Sequence, residues 1–351
     1  MRGRGAAGAL ATAVLAACSP STGDAAARAA AWLVGRQSPD GAMRSDTYGV
    51  LRAGRATTAL ALAALTLAGE SLRVEHRPAI ERARAWLYRE VDADGALLGD
   101  GTAPDYPNYA AAAFLLALAA DDAPDWRSRS APIVARLRRT QLVEARGVAR
   151  DRPAHGGFDL GLTTAPVPGD AAHPDLSVTA FVCEALRAAG VATSDPVLCD
   201  AKAFALRCGT ADGGLTFFPH DAARGSKAGE GVPYGTATAD GLRTLLACGA
   251  AADDARVIAA RRWLDAHADF ERVPGFDAAH ASWEPGLRCY WLASAARAYA
   301  AHGHSTRRLA AIHAVAGARL GEDGSHANPV PTMKEDDPLV ATALLLLALA
   351  P

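Results

Sequence analysis

The chain has 351 residues, half of them apolar, which is enough to bury one large core or two smaller ones. A formal net charge of −2 gives no case for nucleic acid or an anionic surface as partner. Alanine dominates and β-branched or aromatic runs are sparse, so a mostly helical fold is predicted.

The N-terminal residues read as a targeting segment. Arg2 and Arg4 precede a short apolar run from Ala6 to Ala17. Leu15-Ala16-Ala17-Cys18 then resembles the bacterial lipoprotein box. That resemblance implies cleavage before Cys18 and lipidation of its thiol. Ser19 after the cysteine points away from inner-membrane retention. The expectation is an outer-membrane anchor facing the periplasm, with residues 1–17 removed and residues 18–351 forming one domain. No later stretch approaches the roughly 20 apolar residues of a membrane span. The remaining cysteines, Cys183, Cys199, Cys208, Cys248 and Cys289, contain no C-x-x-C pair, and Cys199–Cys208 is the one disulfide to consider.

Helix formers fill Ala25 to Gln37, and Pro39 with Gly41 then ends the helix in a tight turn. The pattern recurs. Trp32, Trp86, Phe204 and Val315 stand the same distance before Asp40-Gly41, Asp94-Gly95, Asp212-Gly213 and Asp323-Gly324. Two further units have degenerate turns. Pro132 to Gln141 leads to His155-Gly156-Gly157-Phe158, and Val257 to His267 leads to Val273-Pro274-Gly275-Phe276. A second, more apolar helix is predicted after each turn: Arg55 to Gly69, Tyr109 to Ala120, Leu176 to Ala189, Thr238 to Gly249, Leu287 to Ala301 and Leu339 to Ala350. The first helix of each pair carries charge on one face, whereas the second is apolar nearly all round. The apolar last helix needs cover, so a closed α6/α6 toroid is preferred to an open α-solenoid. The long polar stretches Ala145 to Pro174 and His220 to Pro233 read as functional loops.

Arg28-Ala29-x-x-Trp32-Leu33-x-x-x-Gln37-x-x-x-Gly41 is similar to the QW motif of squalene and oxidosqualene cyclases, with Met43 in place of the final Trp. The second copy keeps Arg82-Ala83-x-x-Trp86-Leu87 and Gly95 but has Val91 for the Gln. The set resembles the squalene-cyclase and prenyltransferase repeat superfamily across nearly all of residues 18–351. The resemblance implies an α/α toroid and a structural role for Trp32, Gln37, Trp86, Phe204 and Trp263.

In that family an Asp-x-Asp-Asp-Thr-Ala motif protonates the substrate. Here the nearest matches are Glu335-Asp336-Asp337-Pro338 with Thr342-Ala343, and Asp175 with Thr179-Ala180. Helix capping accounts for the same acids. The zinc set of the prenyltransferases and the Cys-Gly-Glu-Gln of the thioester domains are absent, so no metal or cofactor is expected. Residues near the starts of the inner helices are candidates to line a mouth: Tyr48, Arg55, Tyr109 and Tyr234, then Trp283, Arg288 and Tyr290, with Tyr106 and Lys334 beside them. His173 and Asp175 form a possible acid–base pair. The leading expectation is a lipid-anchored module that binds a hydrophobic, isoprenoid-like molecule or a partner. Two enzyme readings stand beside it. One is acid-initiated cyclisation through Asp336 or Asp337. The other is a carbohydrate-active site pairing Asp175 with a second carboxylate such as Asp240 or Asp337.

Overall fold

The computed structural model describes residues 22–99, 105–167, 171–219, 227–301, 303 and 306–350. The segment read as a lipoprotein signal, Cys18 included, lies outside them. Helix α1 (Thr22–Gly35) leads by a turn to α2 (Arg55–Leu67), and a short α3 (Glu70–Glu75) begins the return. The pairs α4 (Arg77–Glu90) with α5 (Pro107–Asp121), and α6 (Trp126–Thr140) with α7 (Leu176–Ala188), follow. The chain continues through α8 (Pro196–Arg207) and α9 (Gly235–Ala247), α10 (Ala255–Ala266) and α11 (Arg288–Ala301), and α12 (Thr306–Arg319) and α13 (Pro338–Ala348). Extended structure among the described residues is limited to two isolated bridges, Gln141 with Phe158 and Gly209 with Leu215.

The second helix of each pair forms an inner ring. Each of α2, α5, α7, α9, α11 and α13 packs on the next, and α13 packs back on α2. Outside, α1 closes against α12 and α13. The ring is shut, and the open solenoid is excluded. Burial follows the sequence pattern. In α5 every residue from Ala110 to Leu118 is buried, whereas α4 buries Ala79, Ile80, Ala83, Trp86 and Leu87, a single stripe at helical spacing.

The repeated turns act as fasteners. A Cβ on Gly41 would sit 2.5 Å from the Arg82 carbonyl oxygen of α4, and one on Gly95 would sit 2.0 Å from that of Pro132 on α6. Gly156 and Gly213 press in the same way on Asp200 of α8 and Ala259 of α10. Gly324 presses on Arg28 of α1, so the last turn clasps the first helix. The fifth unit departs: Gly275 lies against Pro233 and Tyr234, and Arg319 of α12 instead donates to the Glu271 carbonyl at 2.8 Å.

Gln37 donates to the carbonyls of Gly41 (3.0 Å) and Ala79 (2.9 Å), and accepts from Arg82. Gln141 makes the equivalent pair of bonds, to Gly156 (2.9 Å) and Val197 (2.8 Å). Trp86, Phe204 and Trp263 are buried, and Trp263 Nε1 donates to the turn carboxylate of Asp212 at 3.1 Å.

The five described cysteines are free thiols, which corrects the Cys199–Cys208 expectation. Both lie on α8 or its cap, about 13 Å apart along a helix rising 1.5 Å per residue, well beyond disulfide reach. Among the described residues no helix is long and apolar enough to cross a membrane.

Candidate functional site

The N-terminal halves of five inner helices converge on a central cavity of about 160 Å³. Ala56, Thr57 and Leu60 come from α2, Tyr109 and Ala113 from α5, and Phe181 from α7. Tyr290 comes from α11, and Val340 and Leu344 from α13; buried Leu51 completes the wall, and the partly exposed Tyr106 and Lys334 form the rim. The rings of Tyr106, Tyr109, Phe181 and Tyr290 follow one another around the wall. Tyr109 meets Phe181 edge-on at 5.6 Å, and Phe181 lies 6.4 Å from Tyr290.

One side of this wall is backed by buried charge. The Tyr290 hydroxyl donates to Asp240 Oδ2 at 3.0 Å, while Ser294 and Arg243 donate to Oδ1 at 2.5 and 2.8 Å. Arg243 also grips Glu184 through Nε and Nη2 at 2.9 and 2.7 Å, and Arg297 adds a third bond to Glu184 at 2.7 Å. The Arg243 guanidinium lies over the Phe181 ring, 4.9 Å from its centroid. Burial pushes Asp240 up from the ordinary carboxylate range, against the pull of Arg243. Burial opposes ionisation of Glu184 too, but the charges and hydrogen bonds of Arg243 and Arg297 outweigh it and hold that carboxyl at about 2. Burial first, and Asp240 second, keep the Tyr290 hydroxyl protonated far above its usual range.

The three acids of the Glu335-Asp336-Asp337 run have separate tasks. Glu335 accepts from the backbone N–H groups of Cys289 (2.9 Å) and Tyr290 (2.8 Å) and from Asn328 Nδ2 (3.0 Å), which caps α11. Burial raises it to about 7 although those donors pull it down. Asp336 accepts from the Tyr48 hydroxyl at 2.5 Å. Burial and this bond carry Tyr48 up to about 12. Asp337 caps α13 through the N–H groups of Leu339 (2.9 Å) and Val340 (3.3 Å), and Ser45 donates to its other oxygen.

The structure therefore brings Tyr109 and Tyr290 together in the cavity wall, with Tyr48 and Asp336 bonded to each other close to Lys334. Other candidates point elsewhere. Arg55 pairs with Glu90 at 2.8 Å, and Arg288 pairs with Glu284, four residues earlier, at 2.9 and 2.8 Å. Tyr234 is buried against Phe276, with Lys227 Nζ 3.5 Å from its hydroxyl. Trp283 is half-buried and lines neither pocket described here.

Asp175 belongs to a second pocket of about 820 Å³, between the loop after α6 and the segment before α9. Asp159, His173, Thr163, Phe217 and Phe218 line it with Asp175. Asp175 caps α7 through Ser177 N (2.7 Å), and Asp159 accepts from Gly161 N (2.8 Å). Arg146, buried beside them, donates to the carbonyls of Ala165 and Thr140 at 2.7 and 2.9 Å. Neither Asp240 nor Asp337 reaches this pocket. Among the described residues no cluster of His, Cys, Asp and Glu is placed to hold a metal ion.

Sequence reading alone missed Phe181, Leu60 and Ala113 as cavity residues. Each is an unremarkable apolar position whose inward aspect depends on the rotation of its helix.

No protein-family model matches the chain, and no curated protein matches it. Solved structures do. A protein from Actinoplanes is 17% identical, with 93% of this chain and 98% of that one covered and a TM-score of 0.57. The type II terpene cyclase MstE from Scytonema, in its apo form, is 15% identical over 94% of this chain and 97% of its own, at a TM-score of 0.59. A glycosidase variant solved with glucose is 16% identical over 94% and 96%, at 0.53. These likenesses show an α/α toroid, a fold on which cyclases and glycosidases both occur.

Proposed function

We propose that this ring is a binding module whose central cavity takes one compact apolar group, the size of a benzene ring or a single isoprene unit. The observation that carries this reading is the cavity itself: about 160 Å³, walled by aliphatic and aromatic side chains from five inner helices. An apolar cavity of about 150 Å³ in another protein holds benzene. A longer isoprenoid would have to leave most of its chain outside. Asp336 accepts from the Tyr48 hydroxyl and Asp337 caps α13, so each has a structural task, and the binding reading is preferred to acid-initiated cyclisation through them. Lipidation of Cys18 would set the module at a periplasmic membrane face.

Calorimetric titration with toluene tests the reading. One molecule should bind with a Kd on the order of 0.1–1 mM and a negative heat-capacity change. Ala113→Leu should fill the cavity, abolish the heat and leave Tm equal or higher. Equal binding by Ala113→Leu would place the toluene elsewhere and end the proposal.

A second reading rests on Asp159 and Asp175 sharing the larger pocket with His173. It is a carboxylate-pair enzyme acting on a sugar-like substrate. It requires hydrolysis of an aryl glycoside that Asp175→Asn abolishes; absence of turnover by the native protein across a panel of such glycosides sinks it.

A further inference from the structure

We propose that the ligand of the central cavity is a monoanion, a carboxylate carried on a compact apolar group, and that Lys334 receives its head. This rests on the reading that the cavity binds an apolar group, and it names the other end of the molecule.

Two rim residues hold a backbone conformation that side chains disfavour. Tyr106 has φ +47° and Lys334 has φ +62°. For a bulky L-residue the left-handed region is a true outlier, and such strain collects at ligand clamps. The two other non-glycine residues of this kind among the described residues are Asp122 and Asp125, acids in the turn between α5 and α6. Tyr106 and Lys334 come instead from distant parts of the chain and meet at the cavity. The Lys334 ammonium stands 5.5 Å from the Tyr106 ring centroid and 5.4 Å from that of Tyr48. Both rings offer it a π face.

Most other charges around the rim have partners of their own. Asp336 takes the Tyr48 hydroxyl, and Asp337 caps α13. Asp105, fully buried next to Tyr106, accepts from Ala56 N at 3.1 Å through Oδ2, while its Oδ1 has no hydrogen-bond partner among the described residues and burial raises its carboxyl to about 6; Arg55 is paired with Glu90. No carboxylate among the described residues lies within ion-pair distance of Lys334. An ammonium on a strained backbone, over two rings at the lip of an apolar cavity and in ion-pair contact with no carboxylate among the described residues, fits an anion brought by the ligand. A cationic head would meet Lys334 across the same rings. A polyanion would exceed what one ammonium beside Asp336 can balance. The cavity limits the rest of the molecule to about one ring, which describes an arylacetate or a short branched acid.

Phenylacetate, its neutral isostere phenylacetamide, and phenethylamine are titrated against the native protein, Lys334→Gln and Lys334→Arg. Phenylacetate should bind the native protein roughly tenfold more tightly than phenylacetamide, with the advantage shrinking as salt rises. Lys334→Gln should erase the advantage and leave phenylacetamide within about twofold of its native affinity, and Lys334→Arg should retain most of it. Equal native affinities, an advantage that survives Lys334→Gln, or tightest binding of phenethylamine would each overturn the head-group assignment. Toluene bound without phenylacetate would remove this proposal alone. Failure of toluene and of all three probes would remove the cavity reading and this proposal with it.

Discussion

Gly324→Val is expected to destabilise the ring by about 2–5 kcal/mol. A valine at φ +84° costs on the order of 1–2 kcal/mol for the left-handed backbone. Its Cβ would also lie 2.3 Å from the Arg28 carbonyl oxygen and 2.9 Å from the Ala29 nitrogen, both backbone atoms of α1 that cannot move alone. Overpacking of that kind adds roughly 1–3 kcal/mol. The sum is a large share of the 5–15 kcal/mol that ordinarily holds a folded domain. Gly190 is the control. It has φ +91° with nothing within 4 Å of its would-be Cβ, so Gly190→Val should show the backbone cost alone. Urea denaturation separates the two. If Gly324→Val proves no worse than Gly190→Val, the last turn does not clasp the first helix and the account of ring closure fails.

Arg243→Leu should cost about 3–5 kcal/mol, because it leaves Asp240 buried without a cation and Glu184 with Arg297 alone. Arg243 is 1% exposed and makes bonds to both Glu184 and Asp240. Adding Asp240→Asn should recover part of the loss by removing the carboxylate left without a cation. The pH dependence has a definite sign. Glu184 is held at about 2 in the fold against an ordinary 4.5, so its contribution is present above pH 4.5 and is lost as pH falls through 2. Asp240 acts the other way: its raised carboxyl makes the fold less stable as pH rises through its range. In Arg243→Leu the acid-side loss from Glu184 should flatten. A native protein whose acid limb matches that of Arg243→Leu would show that Glu184 is not held by this network.

The repeats made the ring legible before any coordinates, because each fastener lies within one short segment. Trp32 with Asp40-Gly41 and Trp86 with Asp94-Gly95 carry their own spacing. Gln141 escaped notice because the extra residues between it and Gly156 hide a pair of donated bonds that matches that of Gln37. Tyr109 and Tyr290 could be picked out as openers of inner helices. Their neighbours could not, since the Asp240 cluster joins α7, α9 and α11 through Glu184, Arg243, Ser294 and Arg297, residues far apart in the chain. Arg288 shows the opposite case: Glu284 stands four residues before it, and that spacing already favours the ion pair that occupies it. Glu335 looked like part of an acid run at the start of α13, yet it caps α11, a helix that begins 47 residues earlier in the numbering.

The most direct test is a crystal structure of the protein soaked in toluene. The ring should appear in the central cavity, against Leu60, Phe181 and Tyr290, with the inner helices unmoved. Toluene seated only in the larger pocket beside Phe217, or a central cavity filled by ordered waters bonded to Tyr109 and Tyr290, would contradict the reading of an apolar binding site.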